Sequence, residues 1–211
     1  MTPSVRREAV LVALPGVALA LAGLRHPHHL DYDTARWWFG LHLAGLLVFP
    51  LVGVALAWLV RGRHDPLAWL VRVAAYVYAT FYTALDIVSG LAAGWVTRNL
   101  GPDVPRPPEV SLLFRVGTPI GQVGSAALIV AGLAVAADLL LRGRHVPGGL
   151  VVGVLLVGGG WLVHVDHIFA PRGVLGMLLV GAGCALARVL AGDAAPGAAT
   201  RAPEVDATER T

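Results

Sequence analysis

Apolar residues run along this chain in long, nearly unbroken blocks, without the every-second alternation of a half-buried strand or the one-sided stripe of a surface helix. Six blocks are long enough to cross a bilayer, which takes about 20 residues at a rise of 1.5 Å each. They fall near 8–24, 36–60, 67–96, 111–141, 149–170 and 173–191. The pattern predicts an all-α fold: a polytopic transmembrane helical bundle of six spans within residues 1–191. Residues 192–211 are rich in Ala, Pro, Thr and mixed charge, with little to bury, and read as a disordered cytoplasmic tail.

The first block is the shortest, and Pro15 is expected to kink it. Arg6-Arg7 followed by apolar residues and Ala18-Leu-Ala20 also has the pattern of a signal peptide and its cleavage site. A second span-length block follows closely, which argues against cleavage; cleavage would leave five spans in the same orientation. Arginine placement sets that orientation. Arg6 and Arg7, then Arg61, Arg63 and Arg72, then Arg142 and Arg144 fall on one side if six helices alternate. On the other side the arginines are matched by acids, Arg25 and Arg36 with Asp31 and Asp33, and Arg98 and Arg106 with Asp103 and Glu109. Both termini are therefore expected in the cytoplasm. The connector 97–110, with Pro102, Pro105, Pro107 and Pro108, is expected to be extended and extracytoplasmic.

Composition agrees with the membrane class. Of 211 residues, 56% are hydrophobic and 14% charged, where a soluble domain carries about 25% charged residues. The lipid bilayer is the expected partner. The net charge of +3 is spread over loops, and no basic run points to nucleic acid. All basic residues are arginine, in keeping with a GC-rich coding bias. One cysteine, Cys184, allows neither an intrachain disulfide nor a thiolate cage, so a metal site has to be built from His, carboxylate and water. The loops Leu59-Val-Arg-Gly-Arg-His-Asp-Pro66 and Leu140-Leu-Arg-Gly-Arg-His-Val-Pro147 are alike, but the flanking helices match poorly, so two arginine loops explain them better than a duplication.

Against this background Asp86 stands out. It lies deep within the third block, and an ionisable group inside a span is costly to bury and marks a functional site by default. Counting along helices puts His42 and His164 about 10 Å below the outer end of the second and fifth spans, and Asp86 about 15 Å below that of the third. His167, three residues beyond His164, is expected one turn shallower on the same face. Gln122 and Thr118 fall at matching depth on the fourth span. The loop His26-Pro-His28-His29-Leu-Asp31-Tyr-Asp33 is placed to fold over these groups as a lid. Gly90, Gly94, Gly117 and Gly121 let helices approach closely, and such faces also admit a homo-oligomer. Trp37, Trp38, Trp58, Trp69 and Trp95 read as an interfacial belt.

Three readings of the polar cluster stay open. In the first, His42, Asp86, His164 and His167 bind a metal ion, Zn, Cu or Fe, or two of the histidines hold haem. Asp86 is then the candidate catalytic base for a metal-bound water. In the second, Asp86 serves a small-solute or proton-coupled transporter, although the inner half offers little beyond Asp138 to continue a path. In the third, the protein is a structural or accessory membrane subunit without cofactor, and Asp86 pairs with Arg115 or Tyr82. Whether the chain is an enzyme stays open with them.

The segments Trp38-Phe-Gly-Leu-His42-Leu-Ala-Gly-Leu-Leu-Val-Phe-Pro50, Phe81-Tyr-Thr-Ala-Leu-Asp86-Ile-Val-Ser-Gly90 and His167-Ile-Phe-Ala-Pro-Arg-Gly-Val-Leu-Gly176 resemble an uncharacterised family of small bacterial multi-span membrane proteins. The resemblance implies a multi-pass protein of the bacterial inner membrane and transfers no role to any residue. In site chemistry the chain is also similar to membrane hydrolases of the alkaline ceramidase and adiponectin-receptor type, which bind zinc through histidines and an aspartate near one face. It departs from them in having one span fewer and His164-x-x-His167 in place of their Asp-x-x-x-His and His-x-x-x-His spacings.

Overall fold

A computed structural model describes residues 1–102, 104, 108–142 and 146–192. The expected tail from residue 193, positions 103 and 105–107 of the proline-rich connector, and positions 143–145 of the second arginine loop lie outside the described residues. Among the described residues the fold is all-helical. Its six helices are α1 (Pro3–Gly23), α2 (Tyr32–Leu59), α3 (Pro66–Leu100), α4 (Pro108–Leu141), α5 (Val146–Asp166) and α6 (Arg172–Gly192). Helices α2 to α6 are each long and apolar enough to cross a membrane, which makes this a multi-pass membrane fold. Helix α1 is of span length but carries Arg6, Arg7 and Glu8 near its start.

Local chemistry starts the helices where the sequence permits. Thr2 caps α1 ahead of Pro3, and Asp65 caps α3 ahead of Pro66, the first-turn position proline favours. Asp31 and Thr34 form a reciprocal capping box at the start of α2, with Thr34 N donating to Asp31 Oδ1 at 2.8 Å and Asp31 N to Thr34 Oγ1 at 2.9 Å. The capping box fixes where the loop 24–31 ends, and so where its histidines can lie. Helix α3 is continuous through a π-helical stretch, Asp86–Ala92. Such widened turns are rare and are frequent at functional sites.

Packing depends on glycines at the crossings. A Cβ on Gly16 would meet the Met177 carbonyl at 2.6 Å, so α1 and α6 touch backbone to backbone there. A Cβ on Gly159 would meet the Gly176 carbonyl at 2.7 Å, the same arrangement between α5 and α6. The core between the helices holds Tyr78, Tyr82, Phe49, Leu56, Leu128, Leu156 and Met177, all buried.

One end of the bundle is clamped by ion pairs. Glu8 accepts from Arg61 at 2.7 Å and from Arg188 at 2.6 Å, tying α1 to the α2–α3 loop and to α6. Arg63 grips Asp138 with two hydrogen bonds of 2.6 Å, and Arg142 adds a third at 3.1 Å. Asp138, the acid considered for an inner relay, is thus held by two guanidinium groups. The opposite end carries the loops 24–31 and 167–171, and the polar cluster lies beneath them.

Candidate metal centre

Three histidines meet under these loops. His26 comes from the loop after α1, His42 from α2, and His167 from the turn after α5. Each offers a ring nitrogen such that the three lie within 4.8 Å of one another. The rings pack edge to face, His26 against His42 at 5.0 Å and 82° and against His167 at 5.8 Å and 87° between centroids.

Each ring is oriented through Nδ1. His42 donates from Nδ1 to the Trp38 carbonyl at 2.7 Å, and His26 donates from Nδ1 to the Pro27 carbonyl at 2.8 Å. His167 Nδ1 lies 2.9 Å from the Tyr82 hydroxyl. An imidazole whose Nδ1–H is given to a carbonyl keeps a lone pair on Nε2, the arrangement that outer groups impose on metal-binding histidines. His26 Nε2 is buried and has no hydrogen-bond partner among the described residues. Burial pushes the His26 imidazole below its ordinary pKa, against the hydrogen bond to Pro27, which raises it. The ring is therefore neutral near pH 7, as a ligand must be.

Trp38 is the pivot of this arrangement. Its ring stacks on His42 at 5.0 Å and 26°, and its indole N–H donates to the Ser89 carbonyl in the π-helical stretch at 3.1 Å. Trp37, Trp58, Trp69 and Trp95 are exposed, as an interfacial belt requires, whereas Trp38 is 4% exposed and belongs to the site. The reason is its position one helical turn before His42 on the inward face of α2. Gly90 makes room for the assembly, since a Cβ there would run into the His42 ring.

Asp86 stands behind His42. Its Oδ1 is 3.8 Å from His42 Nε2, too long for a hydrogen bond. The side chain is 1% exposed, and neither carboxylate oxygen has a hydrogen-bond partner among the described residues. Gly45 lets it in, since a Cβ at that position would meet Asp86 Oδ2 at 2.6 Å. Neither expected structural partner is there. Arg115 is exposed on α4, and the Tyr82 hydroxyl is turned to His167. A buried carboxylate without donors is costly unless it is protonated or faces a cation.

Two cavities flank His42. The smaller, about 50 Å³, is lined by His26, His42, Gly45, Phe49, Asp86 and Ile168. The larger, about 270 Å³, has His42, Tyr82 and His167 on one wall and Thr118, Gln122, Ser125 and His164 on another. His42, His164 and His167 thus share the larger cavity, while Asp86 lies on the other side of His42.

His164 does not join the close trio. The expectation that His164 and His167 share a helix face fails because α5 ends at Asp166. His167 takes a left-handed backbone conformation with φ of 52°, which turns its ring between Tyr82 and Phe49 at 5.5 and 5.8 Å. His164 stays on the helix, where its Nδ1 is 2.8 Å from Ser125 Oγ. His26 takes the third place in the trio. His26 belongs to the expected lid loop and not to the expected ligand set, because helical rise fixes depth only along helices. The available signal was its position two residues past the end of the first apolar block, followed by Pro27.

Comparison with protein-family models, curated proteins and solved structures finds no match to this chain.

Proposed function

We propose that this is a multi-pass membrane protein that binds a divalent first-row metal ion at His26, His42 and His167, with Asp86 as the counter-charge or fourth ligand. The observation that carries the reading is the orphaned Asp86 carboxylate, buried 3.8 Å from an imidazole of a trio whose nitrogens converge. Three neutral imidazoles and one carboxylate form a donor set suited to zinc, copper or iron, and a bound cation supplies the charge that the carboxylate otherwise lacks. Haem fits less well. The rings meet edge to face, and the flanking cavities of about 270 and 50 Å³ leave no flat slot for a macrocycle between them.

With Asp86 as counter-charge, three histidine ligands beside an open cavity leave a position for water or substrate, the pattern of a catalytic site; with Asp86 as fourth ligand the shell closes, as in a structural zinc. A metal ion there would polarise a substrate oxygen or activate a bound water. Asp86 lies outside the larger cavity, which supports a role in holding the ion over that of a base acting on substrate. The six-span topology, with α1 crossing and both termini cytoplasmic, belongs to this proposal. So do the placement of the site in the extracytoplasmic half and the bacterial inner membrane as location. They are supported by the arginines at the clamped end, Arg61, Arg63, Arg142 and Arg188, opposite the histidine loops.

The test is elemental analysis of full-length protein purified in detergent without chelator and then incubated with zinc. One metal ion per chain that survives gel filtration supports the proposal. Protein that takes up neither zinc, copper nor iron refutes it.

A further inference from the structure

The larger cavity reaches the surface of the bundle between α4 and α5, and its mouth has a definite chemistry. Thr118 and Gln122, one turn apart on α4, line the cavity and are exposed; across from them, Val165 on α5 lines it and is 52% exposed. Trp161, one turn before Val165, is 57% exposed and stacks on His164 at 5.6 Å and 27°. An exposed tryptophan near the end of a span sits at the level of the lipid headgroups. The mouth therefore opens sideways, toward the bilayer at its polar boundary.

Inside, the wall opposite His42 and His167 is polar but nearly uncharged. Ser125, 2% exposed, places its hydroxyl 2.9 Å from the Gly121 carbonyl and 2.8 Å from His164 Nδ1. His164 Nε2 is the second hydrogen-bonding atom of that ring. Among the described residues no Arg lines the cavity, and the carboxyl-bearing side chain that does is Asp166. A phosphate or carboxylate head would face that side chain and no guanidinium among those residues. A head that donates and accepts hydrogen bonds without net charge fits Thr118, Gln122 and His164. Leu85, Phe114 and Val163 give the cavity its apolar remainder.

We infer that the substrate of this site is an uncharged amphiphile drawn from the bilayer between α4 and α5. Its hydroxyl- or amide-bearing head lies against Gln122 and His164, next to the metal-binding histidines, and its apolar chain stays in the lateral opening. A volume of about 270 Å³ takes such a head but not a long chain, which agrees with a chain left outside. This inference rests on the metal-site reading for the reaction but not for the binding.

The experiment uses the full chain, zinc-loaded, in phosphatidylcholine nanodiscs, with a monoacylglycerol carrying a diazirine near its head as photoprobe. Mass spectrometry maps the labelled residues, and metal content is measured on the same samples. The expected result is labelling of α4 and α5 around the cavity, suppressed by unlabelled monoacylglycerol and not by glycerol. His164→Ala is expected to cut labelling about tenfold, the loss of roughly one good hydrogen bond. Gln122→Trp, at an exposed position that tolerates the change, is expected to close the mouth and abolish labelling while zinc is retained. Equal competition by glycerol would place the ligand source in water and overturn the inference. Labelling spread over the lipid-facing surface regardless of Gln122→Trp would overturn it too, as would better competition by a phosphatidic acid. Labelling of the cavity in protein that holds no metal sinks the metal reading alone.

Discussion

Replacing His42 by Ala is expected to lower zinc affinity by more than about 100-fold, the upper end of what loss of an outer partner alone costs a metal site. His42 is the centre of the cluster. Its ring faces His26, its Nε2 faces Asp86, and its Nδ1 is locked to the Trp38 carbonyl. Removing it takes a ligand away and also joins the two cavities that it separates. His26→Ala and His167→Ala are expected to act in the same direction, because each supplies one of the three converging nitrogens. His164→Ala is the control. Its ring is held by Ser125 and lies outside the close trio, so zinc binding is expected to stay within about threefold of the unaltered protein, well below the loss of one charge-assisted hydrogen bond. Isothermal titration of chelator-stripped protein with zinc reads all four variants. If His164→Ala alone abolishes binding, the ligand set is wrong.

Asp86→Asn is expected to produce two opposite changes. In metal-free protein the carboxylate is buried without a donor among the described residues, so the nearly isosteric amide, which removes the buried charge but stays an unsatisfied polar group, is expected to leave stability unchanged or raise it slightly. In metal-loaded protein the counter-charge is lost, and zinc affinity is expected to fall by about tenfold or more. A carboxylate that only braces the bundle predicts the reverse, lower stability without metal and unchanged binding. Thermal unfolding in detergent, with and without zinc, separates the two.

The helices were legible because lipid-spanning segments leave an unmistakable signal, and their positions follow the apolar blocks closely. Helix α2, for example, runs from Tyr32 to Leu59 against a block at 36–60. The inward facing of His42 and Asp86 was legible too, since helical rise and small neighbours such as Gly90 and Gly94 point to a packed polar centre. What stayed hidden depends on chain geometry outside the helices. His26 reaches the cluster through a loop, and only the folded path of residues 24–31, fixed by the capping box at Asp31 and by Trp37 bonding to the Arg25 carbonyl at 2.7 Å, brings it in. His167 looked like a helical neighbour of His164 because the apolar block continues to residue 170, past the last helical turn. The sequence carries no plain mark that the helix stops at Asp166. Trp38 read as a belt residue because composition alone does not tell an inward tryptophan from an outward one.

The central claim is that imidazoles from two loops and one helix, with the carboxylate of α3 behind them, hold one cation. Zinc K-edge X-ray absorption on stoichiometrically loaded protein tests it most directly. The expected spectrum shows a first shell of nitrogen and oxygen at about 2.0 Å with the multiple-scattering signature of three imidazoles, reduced to two in His26→Ala. An oxygen-only shell, or a spectrum that His26→Ala leaves unchanged, would contradict it.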